Sequence, residues 1–205
     1  MTLLSKVLDL IHIVSDDLSA HGNDPTRPGF QTLAVHRFGT FVHTLPRSLA
    51  RTPLVAAYRA GYIFCRNFYG IELPYSAKVG TGVVFEHQGG IVIHGASVIG
   101  DNCIIRQGVT LGNRHLNEPL AAPHLGTGVN VGAGAKLLGG ITIGNQVNIG
   151  ANSVVLHNVA ELETVVGIPA RPLPSRTLEV LPPTRVTFTS PAFQPNGVST
   201  ARLRE

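Results

Sequence analysis

The chain has 205 residues, enough for one domain with a small appendage, and it combines 23 glycines with only 14% charged residues. Its formal net charge of +4 comes from scattered basic residues, which argues against nucleic acid as a partner and suits attraction of an anionic cofactor. Two cysteines, Cys65 and Cys103, lie far apart without a CxxC or CxxH companion, so neither a disulfide framework nor a structural zinc site is expected.

Residues 1–70 predict a helical N-terminal region. Leu3, Leu4, Val7, Leu8, Leu10 and Ile11 give an amphipathic first helix, and a Gly/Asn/Asp/Pro break follows from Gly22 to Pro28. A second helix is expected from Phe30 to about Thr44, and a third, after Pro46 and Pro53, to about Phe68. The apolar stretch Leu54 to Tyr69 is interrupted by Arg59 and Arg66 and is short for a bilayer. The first residues lack the charged-then-apolar pattern of a signal peptide, so a soluble cytoplasmic protein without a membrane span is expected.

Residues 71–172 follow a different rhythm. Large aliphatic or aromatic residues recur every six positions, at Val79 and Phe85, from Ile93 through Ile99 and Ile105 to Leu111, and from Leu125 to Val155. Many precede a glycine, as in Val79-Gly80, Ile99-Gly100 and Val131-Gly132. No helix repeats every six residues and an ordinary strand alternates every two. A sustained hexad predicts a parallel β-helix that buries one column of side chains per face, so the fold class is mainly β.

The beat breaks twice. The interval from Phe85 to Ile93 is eight residues and contains Glu86-His87-Gln88-Gly89-Gly90. The interval from Leu111 to Leu125 holds eight residues beyond a hexad, so Asn113 to Pro123 is expected to leave a corner as a loop. Residues 173–205, rich in Pro, Ser and Thr with one strand-like stretch at Arg185 to Thr189, read as a loosely held or partner-bound tail.

His87 is the sharpest candidate for chemistry. An imidazole titrates near neutrality, which suits a general base, and Glu72 or Glu86 could fix its tautomer and stabilise its charged form. Spacing alone does not say which acid reaches it. His94 and His124 read as hydrogen-bonded corner or surface residues, and Cys103 as a packed thiol.

Several motifs carry a family resemblance. These are Glu86-His87 followed by Gly90-Ile91-Val92, then Gln107 and Val109-Thr110-Leu111-Gly112. Gly132-Ala133-Gly134-Ala135-Lys136, Gly150-Ala151-Asn152-Ser153-Val154-Val155 and Gly167-Ile168-Pro169-Ala170-Arg171 continue the series. Upstream, Gly29-Phe30-Gln31 and Arg37-Phe38-Gly39 match the last helices of an N-terminal domain. With these motifs the chain resembles the serine O-acetyltransferase branch of the hexapeptide-repeat acyltransferases.

The resemblance implies a left-handed parallel β-helix with a short α-helical N-terminal domain, assembled as a homotrimer with acetyl-CoA between subunits and no metal. It implies His87 and Glu72 as the catalytic pair, Glu72 standing where the family usually has Asp. It implies substrate contacts at Glu86 and Asp24, and cofactor contacts at Gly112, Ala133, Ala151, Lys136 and Arg171. One departure stands out. The family's loop Arg-His pair aligns with Ala121 and Ala122, while an Arg-His pair occurs earlier in the loop, at Arg114-His115.

Three functions follow as expectations. The first is acetyl transfer to L-serine, feeding cysteine synthesis. The second moves the acetyl group to a sugar or polysaccharide hydroxyl, favoured by the two alanines and the short N-terminal region. The third is a non-catalytic trimeric scaffold. The abbreviated helices favour a trimer over the hexamer that longer N-terminal domains build.

Overall fold

A computed structural model describes residues 2–174; the tail from residue 175 onward, with its strand-like stretch, lies outside the described residues. Three helices precede the strands. Helix α1 (Leu3–Ala20) starts at Thr2, whose hydroxyl accepts from the Ser5 amide as an N-cap. Helix α2 (Pro28–His43) starts on a proline, whose missing N–H is no loss there. Helix α3 (Thr52–Phe64) passes into a π-helical turn, Cys65–Tyr69, which ends at Gly70 in the left-handed region (φ +65°). The expected third helix therefore ends in a wider turn rather than continuing as regular α-helix.

The strands then wind as a solenoid. The first turn is β1 (Ile71–Glu72), β2 (Lys78–Val79) and β3 (Val84–Glu86), and the second β4 (Ile91–Ile93), β5 (Val98–Ile99) and β6 (Ile104–Arg106). The third is β7 (Thr110–Gly112), β8 (His124–Leu125) and β9 (Asn130–Val131), and the fourth β10 (Lys136–Leu138), β11 (Thr142–Ile143) and β12 (Asn148–Ile149). Then follow β13 (Val154–Val155), β14 (Thr164–Gly167) and β15 (Ala170–Pro172). Up to β13 every third strand pairs in parallel, and β14 then follows β12, giving three faces: β1-β4-β7-β10-β13, β2-β5-β8-β11 and β3-β6-β9-β12-β14-β15. Only β15 runs antiparallel, as a hairpin on β14. This is the left-handed β-helix of about five turns.

The hexad residues stack in register inside it. Ile93, Leu111, Leu137 and Val155 form one column, Val79, Ile99, Leu125 and Ile143 the second, and Phe85, Ile105, Val131 and Ile149 the third. All except the half-buried Val79 are fully enclosed. A second inward position, two residues earlier, was expected from the rhythm only at Cys103. Val83, Cys103, Val129 and Val147 occupy it on the third face, and Ile91, Val109, Ala135 and Ser153 on the first. Its mixed sizes and polarities hide it from an apolar-only pattern. Burial pushes the Cys103 and Cys65 thiols up, as expected for packed cysteines.

The helices close the lower end of the solenoid. A Cβ at Gly29 would lie 2.1 Å from the Phe85 carbonyl oxygen, so α2 meets β3 through bare backbone. Arg37 is the polar pin of this junction. Its guanidinium pairs with the fully buried Asp17 (Nε to Oδ2, 2.9 Å) and donates to the Val79 and Gly80 carbonyls at 2.6 Å each. On α1, by contrast, Leu4, Leu8 and Ile11 are exposed, leaving an apolar stripe without a partner among the described residues. Among the described residues no helix is long and apolar enough to cross a membrane.

Candidate active site

His87 sits at the edge where the third face turns into the first. Seven residues carry the chain from Glu86 to Ile93, but five suffice from Arg106 to Leu111 one turn above, and the paired ends stay in register. The two surplus residues must bulge outward. His87 consequently adopts φ +65°, unusual for a residue with a Cβ, and its side chain is exposed. The corner is fastened from below: Gly89 donates to the Tyr69 carbonyl (2.9 Å) and Ile91 to that of Gly70 (3.0 Å).

Above His87 the same edge carries only small residues and Gln107. Gly90, Gly108 and Gly134 are all left-handed (φ +68°, +72° and +75°), and Asn152 continues the series at +57°. A Cβ on Gly108 would stand 3.2 Å from the Gly134 Cα, so the turns stack too closely for side chains. Ala133 and Ala151 belong to this edge as well, in the corners between β9 and β10 and between β12 and β13, with Ala151 exposed. The result is a backbone-lined strip running up from the imidazole.

The two acids near His87 are both engaged elsewhere. Glu72 lies on the outer side of β1, and its Oε1 accepts from the Tyr62 hydroxyl at 3.0 Å. Burial, with this carboxylate beside it, raises the Tyr62 phenol to about 12, so it stays a donor. Glu86 pairs instead with Arg106 on the neighbouring strand (Oε2 to Nε, 2.8 Å), and Arg106 also donates to Asn130. Among the described residues no hydrogen bond or ion pair reaches the His87 ring. Both pairings were invisible in the sequence, because they depend on strand register and on how α3 docks.

The remaining candidates fall into two groups. Asp24 is fixed within its own turn: its Oδ1 accepts from the Thr26 amide (2.9 Å) and hydroxyl (2.6 Å), which hold its carboxyl below the usual range. Gln31 donates to the neighbouring Pro25 carbonyl and accepts from the Tyr69 hydroxyl, while Tyr69 holds Gly89. Lys136 reaches back along the edge, donating to the Gly108 carbonyl and to Thr110 Oγ1 at 3.1 Å. Arg171 lies exposed on β15.

The loop from Asn113 to Pro123 leaves from the edge between the first and second faces, as expected for an extruded segment. Arg114 packs against Gly139 and Ala121 against Gly140, so the loop folds over its own edge. Arg114, His115 and Gly112 thus belong to a different edge from His87. One chain does not bring the two groups together.

No protein-family model matches the chain. The serine acetyltransferase of Synechococcus elongatus is 40% identical over 149 residues, covering 70% of this chain and 56% of that protein. The soybean serine acetyltransferase structure complexed with serine is 32% identical, covers 80% of this chain and 69% of that chain, and superposes with a TM-score of 0.67. A serine acetyltransferase structure in complex with CoA is also 32% identical, with coverages of 80% and 69% and a TM-score of 0.64. The chain belongs to the serine acetyltransferase family. It spans 56% of the length of the cyanobacterial member.

Proposed function

We propose that the chain is an acetyl-CoA-dependent serine O-acetyltransferase working by direct transfer. The observation that carries this reading is His87 at the foot of an edge whose upper corners are bare backbone and alanine. A pantetheine arm needs such a strip, because its amides must approach main-chain groups closely. Ala133 and Ala151 would line the arm, with Gly112, Lys136 and Arg171 completing the cofactor contacts. The solved relatives carrying CoA and serine support the same substrates.

His87 would take the proton of the serine hydroxyl as its oxygen attacks the thioester carbonyl. Collapse of the tetrahedral adduct would then expel the CoA thiolate, which recovers that proton from the imidazolium. Glu72 stands ready for the charged ring. Formation of an imidazolium offers its carboxylate a cationic partner that competes with the neutral Tyr62 donor. Glu86 would face the acceptor, and Asp24 would be a second acid on the acceptor side.

The site is shared between copies in this reading. Arg114 and His115 leave from another edge, so a neighbouring chain would have to bring its loop to His87, and a homotrimer supplies this arrangement. A cytoplasmic location, where acetyl-CoA is made and used, completes the proposal. The acceptor is tested by offering L-serine and a panel of nucleotide sugars to the purified enzyme while following thiol release from acetyl-CoA. Release with serine supports the reading. Release with a sugar alone would replace it by sugar acetylation, the function favoured by Ala121 and Ala122.

A further inference from the structure

The ion pair between Glu86 and Arg106 bears on which acceptors the site takes, given the reading of His87 as the base. Glu86 precedes His87 directly, and Arg106 is its register partner on β6. Their 2.8 Å contact lies on the outer surface, with the side chains 30% (Arg106) and 40% (Glu86) exposed. A pair so open to water contributes little to folding. Its consequence is the field that an approaching acceptor meets.

Two partners fix the guanidinium: Glu86 binds at Nε, and Asn130, itself bonded to Asn148 at 3.3 Å, accepts from Nη1. Nη2 has no partner among the described residues. A planar cation is thus pre-positioned with donors to spare, against Glu86, the residue that precedes His87. The negative charge of Glu86 is offset at the same point. A cationic group arriving there meets a compensated carboxylate and a guanidinium, whereas an anionic group finds free N–H donors.

We infer that Arg106 is the specificity-determining cation of this site, gripping the acceptor's carboxylate, and that Glu86, offset by it, draws little from the acceptor's ammonium group. The acceptor class is a small hydroxy acid, amino-substituted or not. Arg106 thereby does within one chain what a loop cation at position 121 or 122 could have done, where this chain has Ala121 and Ala122.

Three acceptors separate the charges: L-serine, L-glycerate, which keeps the carboxylate and the configuration and lacks the ammonium, and L-serinamide, which keeps the ammonium and lacks the carboxylate. Thiol release is followed for each with the wild-type chain, Arg106→Gln and Arg106→Lys, with the KM for acetyl-CoA and the melting temperature as controls of fold. The wild type is expected to use glycerate within roughly 10-fold of serine and to disfavour serinamide by roughly 10- to 100-fold, the worth of a charge-assisted hydrogen bond. Arg106→Gln is expected to raise the KM for serine by a similar factor and to collapse the preference over serinamide, with Arg106→Lys in between. An unchanged serine-to-serinamide ratio in Arg106→Gln, or a wild type that prefers serinamide to glycerate, overturns the inference alone. A wild type that turns over none of the three overturns the serine reading and this inference with it.

Discussion

At the scale of single residues, the site contrasts a free imidazole with two acids that are already occupied. Tyr62 holds Glu72 and Arg106 holds Glu86, so neither carboxylate is a loose charge. Tyr62→Phe frees Glu72 from its donor, and it is expected to change the pH profile of kcat while leaving the KM for acetyl-CoA alone. An unaltered profile would show that the bond has no part in turnover. His36 offers a stability prediction of defined sign. Burial, with Arg37 nearby, lowers it from 6.5 to about 4, while its Nδ1–H donates to the Pro74 carbonyl at 3.2 Å. The unfolded chain therefore binds a proton between these values and the folded chain does not. The stability this neutral histidine contributes is complete above pH 6.5 and declines as pH falls towards 4, by ~3 kcal/mol in total. Urea denaturation at pH 7 and pH 5 should show the loss, and His36→Asn should flatten it.

At the scale of elements, backbone contact governs both the edge and the cap. Ala at Gly29 would put a methyl group against the Phe85 carbonyl and force α2 away from β3. We expect Gly29→Ala to cost about 2 kcal/mol or more and to lower activity through the Asp24 and Gln31 side of the corner. Thermal melts together with turnover measure both effects, and a fully stable variant would show that the junction is looser than it is drawn. Much of this level was legible in advance. The three phases of the hexad became three columns, and the intervals of eight and fourteen residues became the His87 bulge and the extruded loop. Beyond Cys103, which reads as packed, the second inward position was missed because Ser97 and Ser153 share it with valines and isoleucines. Their tolerance there comes from small volume rather than from apolarity. The Arg106–Glu86 pair was missed for another reason: only strand register reveals that two residues twenty apart are side by side.

At the scale of the whole molecule, the separation of His87 from the Arg114–His115 loop is what makes assembly part of the proposed chemistry. Light scattering is expected to give a trimer, and a monomer with full activity would exclude a shared site. Complementation gives a sharper view. Chains carrying His87→Ala co-expressed with chains carrying Arg114→Ala and His115→Ala should regain activity above either parent, because mixed trimers pair an intact base with an intact loop. The residue motifs in the sequence announced the family before any coordinates. The sharing between copies became arguable only once the loop and the histidine fell on different edges of one coil.

The most direct test of the account is the rate of thiol release from acetyl-CoA in the presence of L-serine, compared between the wild-type chain and His87→Ala, with O-acetylserine identified by mass. The account predicts product with the wild type and a loss of about 10²- to 10⁴-fold in kcat on removing the imidazole, the usual worth of a general base. Equal rates in the two chains, or no O-acetylserine from the wild type, would contradict it.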